Sequence, residues 1–259
     1  MTVIRTDDTR QAAGVTPGRF APRHPWDRNF FLLILAGVWA GILAGFVQDA
    51  LEHFTGKHVA YAFIVHIHAA VFVGWLVLLT TQMTLIRAGR ADLHRRLGLV
   101  GLGLVPIMAV LGPATSLIMG HLEFGSPDSD PPFLSVPLLG IVSFTVIALA
   151  GLALRRDPAA HRRLMLLSTI FISDAGFARW LAGPLTKVFG AGVAPFYVES
   201  YFGPALLVAA MAGYDLITRR RLHPAFAAAA AFGLTNEVIA SVLYNLPAWK
   251  PVATHLIGH

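Results

Sequence analysis

The sequence predicts an all-α protein, a polytopic transmembrane bundle of seven helices, and three observations carry that reading. Of its 259 residues, 56% are hydrophobic and only 13% charged, whereas a soluble domain carries about 25% charged residues. Apolar stretches long enough for a bilayer core, roughly 20 residues each, recur along the chain. Strand-type alternation is absent while Ala, Leu and Gly abound, which removes a β-barrel. A water-soluble enzyme, a disordered chain and a nucleic-acid binder are excluded together. With no cysteine, disulfides, zinc–thiolate sites, iron–sulfur clusters and covalently attached haem are excluded as well.

Taken in order, residues 1–29 are polar and Arg-rich, with Pro17, Pro22 and Pro25. They lack the apolar run of a signal peptide and are expected to form a mobile cytoplasmic tail. The helical domain, 30–247, divides into spans at Phe30 to Gln48, Tyr61 to Ile86, Leu97 to Met119 and Phe133 to Leu154. Three more follow at Leu164 to Leu185, Phe202 to Thr218 and Pro224 to Tyr244. The connection His121 to Pro132 is rich in Gly, Ser, Pro and Asp and reads as a turn-rich cap. The last segment, 248–259, is expected on the outer surface, with Trp249 at headgroup level.

Orientation follows from basic residues. Sixteen arginines fall in the tail and in the connections after spans two, four and six, against three lysines on the other side. This places the N-terminus in the cytoplasm and the C-terminus outside. A bacterial cytoplasmic (inner) membrane is the expected location. The basic pI of about 10.2 is then topology signal plus attraction to anionic lipid headgroups, the expected partners. Other membrane subunits are a further possible class of partner, and nucleic acid is not.

Two corners echo each other. Leu93-His94-Arg95-Arg96-Leu97 opens span three and Ala160-His161-Arg162-Arg163-Leu164 opens span five. Basic side chains at inner helix starts reach lipid phosphate, the expected role of His94, Arg95, Arg96, His161, Arg162 and Arg163. His94 and His161 begin their spans at equal depth and could face each other if those helices are neighbours. The run Gly89-Arg90-Ala91-Asp92-Leu93-His94-Arg95-Arg96-Leu97-Gly98, with His66-Ile67-His68 and Trp75 before it, resembles a widespread family of bacterial multi-span membrane proteins of unknown function. Asp157-Pro158-Ala159-Ala160-His161-Arg162-Arg163-Leu164-Met165 is similar to that family's second corner. The resemblance covers spans two to five and implies the fold, with no activity or ligand set.

Ionisable residues inside a bilayer are costly unless paired, so each is a functional candidate. At 1.5 Å per residue, Asp174 and Glu237, beside Asn236, fall near the midplane, and Arg179 about two turns further out. His66 and His68 lie at a depth close to that of Arg179. An interior pair of Arg179 with Asp174 or Glu237, with His66 or His68 nearby, is expected, and Asp215 is expected to reach water. Three functions remain open. One is a redox protein holding b-type haem or a transition metal through His66 or His68 with His121, Arg179 meeting a propionate. The second is a small-solute or proton-coupled carrier or receptor working through the midplane carboxylates. The third is an accessory subunit of a larger membrane complex.

Overall fold

The computed structural model describes residues 20–55 and 61–259. The chain forms α1 (Asp27–Phe54), α2 (Phe63–Arg87), α3 (Ala91–Glu123), a 3-10 turn (Pro131–Leu134) and α4 (Ser135–Ala153). Then come α5 (Pro158–Ile170), α6 (Asp174–Phe189), α7 (Val193–Arg219), α8 (Pro224–Asn245) and α9 (Trp249–Leu256). No strand occurs among the described residues. Among the described residues, six segments are long and apolar enough to cross a bilayer: α1, α2, α3, α4 with its leading 3-10 turn, α7 and α8. The α5–α6 pair passes the same test only jointly. The protein is an all-α polytopic helix bundle.

The span expected over Leu164 to Leu185 is not one straight helix. It breaks at Phe171–Ser173, where α5 and α6 bend by 50°. Ser168 and Thr169 donate their hydroxyls to the Met165 carbonyl, and Ser173 donates to the carbonyl of Ile170. The amides of Ile172 and Ser173 turn back three residues instead of four. Hydroxyls bonded to the preceding turn bend a helix while keeping its polar groups satisfied in an apolar setting.

Glycines hold the break in place. A Cβ on Gly233 of α8 would stand 2.2 Å from the Phe171 ring, and one on Gly203 of α7 or Gly41 of α1 would run into Phe177. At Gly45 it would lie 2.0 Å from the Gly176 carbonyl oxygen. Small residues therefore let α1, α7 and α8 close around the bend, as intramembrane packing favours.

α5 is the axis of the bundle, with α1, α4, α7 and α8 around it. Every residue from Arg163 to Ile170 is buried. A helix covered on all faces has no room for a solvated side, so any polar group on it needs an internal partner. Thr169 receives the Trp75 indole N–H at 3.0 Å, and Trp75 meets Phe144 edge-to-face.

Two segments expected to be peripheral are packed. Residues 1–19 of the tail lie outside the described residues, but Phe20 touches the His223 ring and the Ala21 carbonyl accepts from Arg219. At the opposite end, Trp249 donates to the Pro132 carbonyl at 2.9 Å. Ala253 and Ile257 join Leu134 in a small apolar cluster, so α9 caps the bundle.

Candidate functional site

Two buried polar clusters lie at different levels of the bundle. The first sits at the Arg-rich end and is built from helix ends. Asp157 caps α5 by accepting the amides of Ala159 and Ala160, with Pro158 at the first helical position. His223 caps α8 in the same way, its Nδ1 accepting from the Ala225 amide ahead of Pro224. Both arrangements satisfy orphan amides of a helix start. His223 Nε2 stands 3.5 Å from the Asp157 carboxylate, which ties the two starts together.

Behind these caps, Arg163 meets Asp215 through two bonds of 2.8 and 2.5 Å, with side chains 1% and 0% exposed. One turn later on α7, Arg219 donates to both oxygens of Asp27 at 2.7 and 2.8 Å. Asp27 also accepts from Arg162 and from the Tyr214 hydroxyl. The rings of Phe20 and Phe31 cover the guanidinium groups. Three cations and two carboxylates thus interlock α1, α5 and α7. Such a paired, hydrogen-bonded cluster is the form in which buried charge is tolerated.

Burial pushes the His223 imidazole below its ordinary value of 6.5, outweighing the attraction of Asp157. Partial burial of Asp157 works upward, but the amides of Ala160 and Ala159 and the nearby imidazole hold its carboxyl below 3.8.

The second cluster lies further along the bundle, where α6 begins at the break. Asp174, its first residue, and Glu237 of α8 are 8% and 6% exposed. Glu237 accepts from the Tyr197 hydroxyl at 3.0 Å. Asn236 donates to Ser143 of α4 at 3.0 Å. Tyr201, 3% exposed, feels the field of both carboxylates, and the carboxylates feel each other. Gly140, Ser143, Phe171 and Tyr201 close over Asn236 and Glu237, leaving no space for even a water-sized molecule. Here a negative group stands at a helix N-terminus, where the dipole favours it, but neither carboxylate meets a buried guanidinium among the described residues.

The expected interior pairing of Arg179 is corrected. Arg179 is exposed, lies over the Phe46 ring at 4.2 Å and donates to its own helix at the Ala175 carbonyl. It forms no ion pair with Asp174 or Glu237 among the described residues and acts on Asp174 only at longer range. Five residues along α6 set the Asp174 and Arg179 side chains about 140° apart around the helix, so Arg179 faces outward where Asp174 faces in. Asp215 is corrected too: it is sealed from water by Arg163.

The proposed cofactor residues do not converge. His66 is exposed and His68 stacks on Phe72 of its own helix. Phe72 lies against Gly112, so His68, one turn further out, is level with Ser116, and His121 is about 7 Å beyond that. His121 instead bonds to the Ile257 carbonyl at 2.9 Å and stacks on His259. Among the described residues no three His, Asp or Glu side chains converge as a metal site.

Of the corner residues, Arg95 and Arg96 are exposed, as a headgroup contact requires. Arg162 and Arg163 turn inward to Asp27 and Asp215. His94 and His161 do face each other, with ring centres 6.2 Å apart and planes at 86°.

Compared with family models, curated proteins and solved structures, the chain matches none. Its function is therefore argued from these clusters. Tyr197, Tyr201 and Tyr214 escaped the sequence reading, although Tyr197 and Tyr201 stand four apart just where α7 begins its burial. Asp27 escaped because it precedes the first apolar run. Asp215 and Arg219, also four apart, carried a signal of pairing that was legible.

Proposed function

We propose that the protein is a proton-coupled carrier of the membrane, with Asp174 and Glu237 as the groups that take up and release the proton. One observation carries this reading: two buried carboxylates lie within each other's field where a broken span begins again, Glu237 bonded to a tyrosine hydroxyl and Asp174 to main-chain amides, with no guanidinium bonded to either among the described residues. Carboxylates so placed are balanced by a proton or a bound cation. Discontinuous helices with ion-handling groups near mid-depth are how many secondary transporters build their sites. The closed packing over Glu237 is what an occluded state requires, and the hydroxyl-lined bend at Phe171–Ser173 is a place for α6 to pivot. The outer-half histidines offer no paired axial set, so the carrier reading is preferred over a haem protein. With the Arg-rich end in the cytoplasm, the carboxylates open alternately inward and outward past that bend.

The test uses the full chain in liposomes with a trapped pH dye and an imposed potassium-diffusion potential. Proton entry above that of protein-free liposomes is expected, falling at least tenfold in Glu237→Gln and Asp174→Asn. Flux equal to protein-free liposomes, or unchanged in both variants, overturns the proposal.

A further inference from the structure

The echo of the two corners has a structural counterpart that the carrier reading does not use. His94 opens α3 and His161 opens α5, and the helices bring the rings to 6.2 Å. The His161 Nδ1 is committed to the Gly151 carbonyl at 2.8 Å. As the donor in that bond it leaves Nε2 with a free lone pair, the arrangement seen around metal-bound histidines, whose second nitrogen is fixed by a backbone carbonyl. On the other ring, the buried Nδ1 of His94 has no hydrogen-bond partner, and neither has the buried Oε1 of Gln82. The His94 ring directs an N–H toward the Gln82 main-chain carbonyl, as His161 does toward Gly151. The Gln82 amide in turn faces Gly98, one turn along α3 from His94.

Buried polar atoms without a partner are uncommon, because each forfeits a hydrogen bond it had in water, and here two belong to neighbouring residues of α2 and α3. One ligand satisfies both. Two imidazoles bonded to one ion at about 2.0–2.1 Å hold their ring centres about 5 Å apart in a tetrahedral set and about 6 Å apart when trans, so the observed spacing suits Cu(II) as it stands and Zn(II) after a small closure.

We propose that His94 and His161, with the Gln82 amide oxygen, bind a late first-row transition-metal ion such as Zn(II) or Cu(II) at the Arg-rich end. Imidazole nitrogen selects such ions over Mg(II) or Ca(II), which need oxygen cages. The three ligands come from α2, α3 and α5, and both histidines are only half-buried, which leaves a side open for exchange and a solvent ligand. The site is separate from the carboxylate pair, and its ligands are outside the Asp27 and Asp215 cluster.

The test titrates Zn(II), then Cu(II), into untagged full-length protein in detergent, reading affinity and stoichiometry by calorimetry. One ion per chain is expected, with affinity reduced at least tenfold in His94→Ala and in His161→Ala. A smaller loss is expected in Gln82→Ala, and none in His66→Ala, His121→Ala or Glu237→Gln. Since a histidine variant could fail to fold, electron paramagnetic resonance of Cu(II) on the unaltered protein supplies an independent readout, with coupling to two nitrogens expected. Binding that persists in the His94→Ala/His161→Ala double variant, no binding at all, or fewer than two coupled nitrogens overturns the proposal. Loss of flux in Glu237→Gln with metal binding intact would show the two sites to be independent.

Discussion

The cluster at the Arg-rich end and the one at the break contain the same chemical ingredients in opposite balance. Around Asp27 and Asp215, each carboxylate faces at least one guanidinium at hydrogen-bond distance. Around Asp174 and Glu237, the direct partners are the Tyr197 hydroxyl on Glu237 and main-chain amides at the start of α6 on Asp174. The first arrangement fixes three helices in one geometry and leaves no charge to move. The second leaves negative charge that a proton can answer. Burial alone therefore does not distinguish the two clusters; the balance of charge does.

The largest expected effect tests the locked side of this comparison. Arg163→Met leaves buried Asp215 at the Arg-rich end with only Arg219, 3.7 Å away, for a cation, and unfolding in detergent should show a loss of about 3–5 kcal/mol. Adding Asp215→Leu should restore most of that loss, because a well-packed apolar pair often does as well as a buried ion pair. If the double variant is as unstable as the single one, Arg163 serves something other than charge pairing.

Next in size is the close approach that positions the break. Gly45→Ala places a methyl group against the Gly176 backbone, an overpacking cost of about 1–3 kcal/mol. It should lower proton flux as well as stability, since α6 carries Asp174. Normal flux in a destabilised Gly45→Ala protein would separate the α1–α6 contact from function.

The architecture was legible in the sequence because hydropathy and span length are local properties. The interruption at Phe171–Ser173 was not, since Ser168, Thr169 and Ser173 break the helix only in concert with Gly233, Gly41 and Gly203 on other helices. Depth counting put Asp174 and Glu237 at similar levels, and the structure brings them within each other's field. The same counting failed for Arg179 because depth says nothing of the direction a side chain takes around its helix, and Arg179 stands about 140° from Asp174. Asp27 and Arg163 were assigned to tail and headgroup, since nothing local reveals that α5 is the buried axis.

On the unbalanced side, Glu237→Gln keeps an acceptor for the Tyr197 hydroxyl while removing the charge. Its stability should stay within about 1 kcal/mol of the unaltered protein, in contrast to Arg163→Met. A loss as large as that of Arg163→Met would make Glu237 a structural residue.

The smallest effect concerns pH at the Arg-rich end. His223 has its proton affinity lowered by folding, and so does Asp157, so the unfolded chain binds more protons than the native one as pH falls. The His223 contribution weakens the native state as pH drops below 6.5, and the Asp157 contribution is lost as pH drops below 3.8. The Ala159 and Ala160 amides should therefore stay protected until the pH falls below 3.8, while hydrogen exchange at the Ala225 amide speeds up between pH 7 and 5, after correction for intrinsic rates. His223→Gln should flatten that dependence.

The central claim is that the carboxylates at the break exchange a proton while those at the Arg-rich end do not. Infrared difference spectra of the liposome-embedded protein, recorded across a pH titration, measure this directly through the carbonyl band of protonated carboxyl groups. A titrating band is expected that is lost in Glu237→Gln and preserved in the Arg163→Met/Asp215→Leu variant. A band unchanged in Glu237→Gln, or lost in the Asp215 variant, would contradict it.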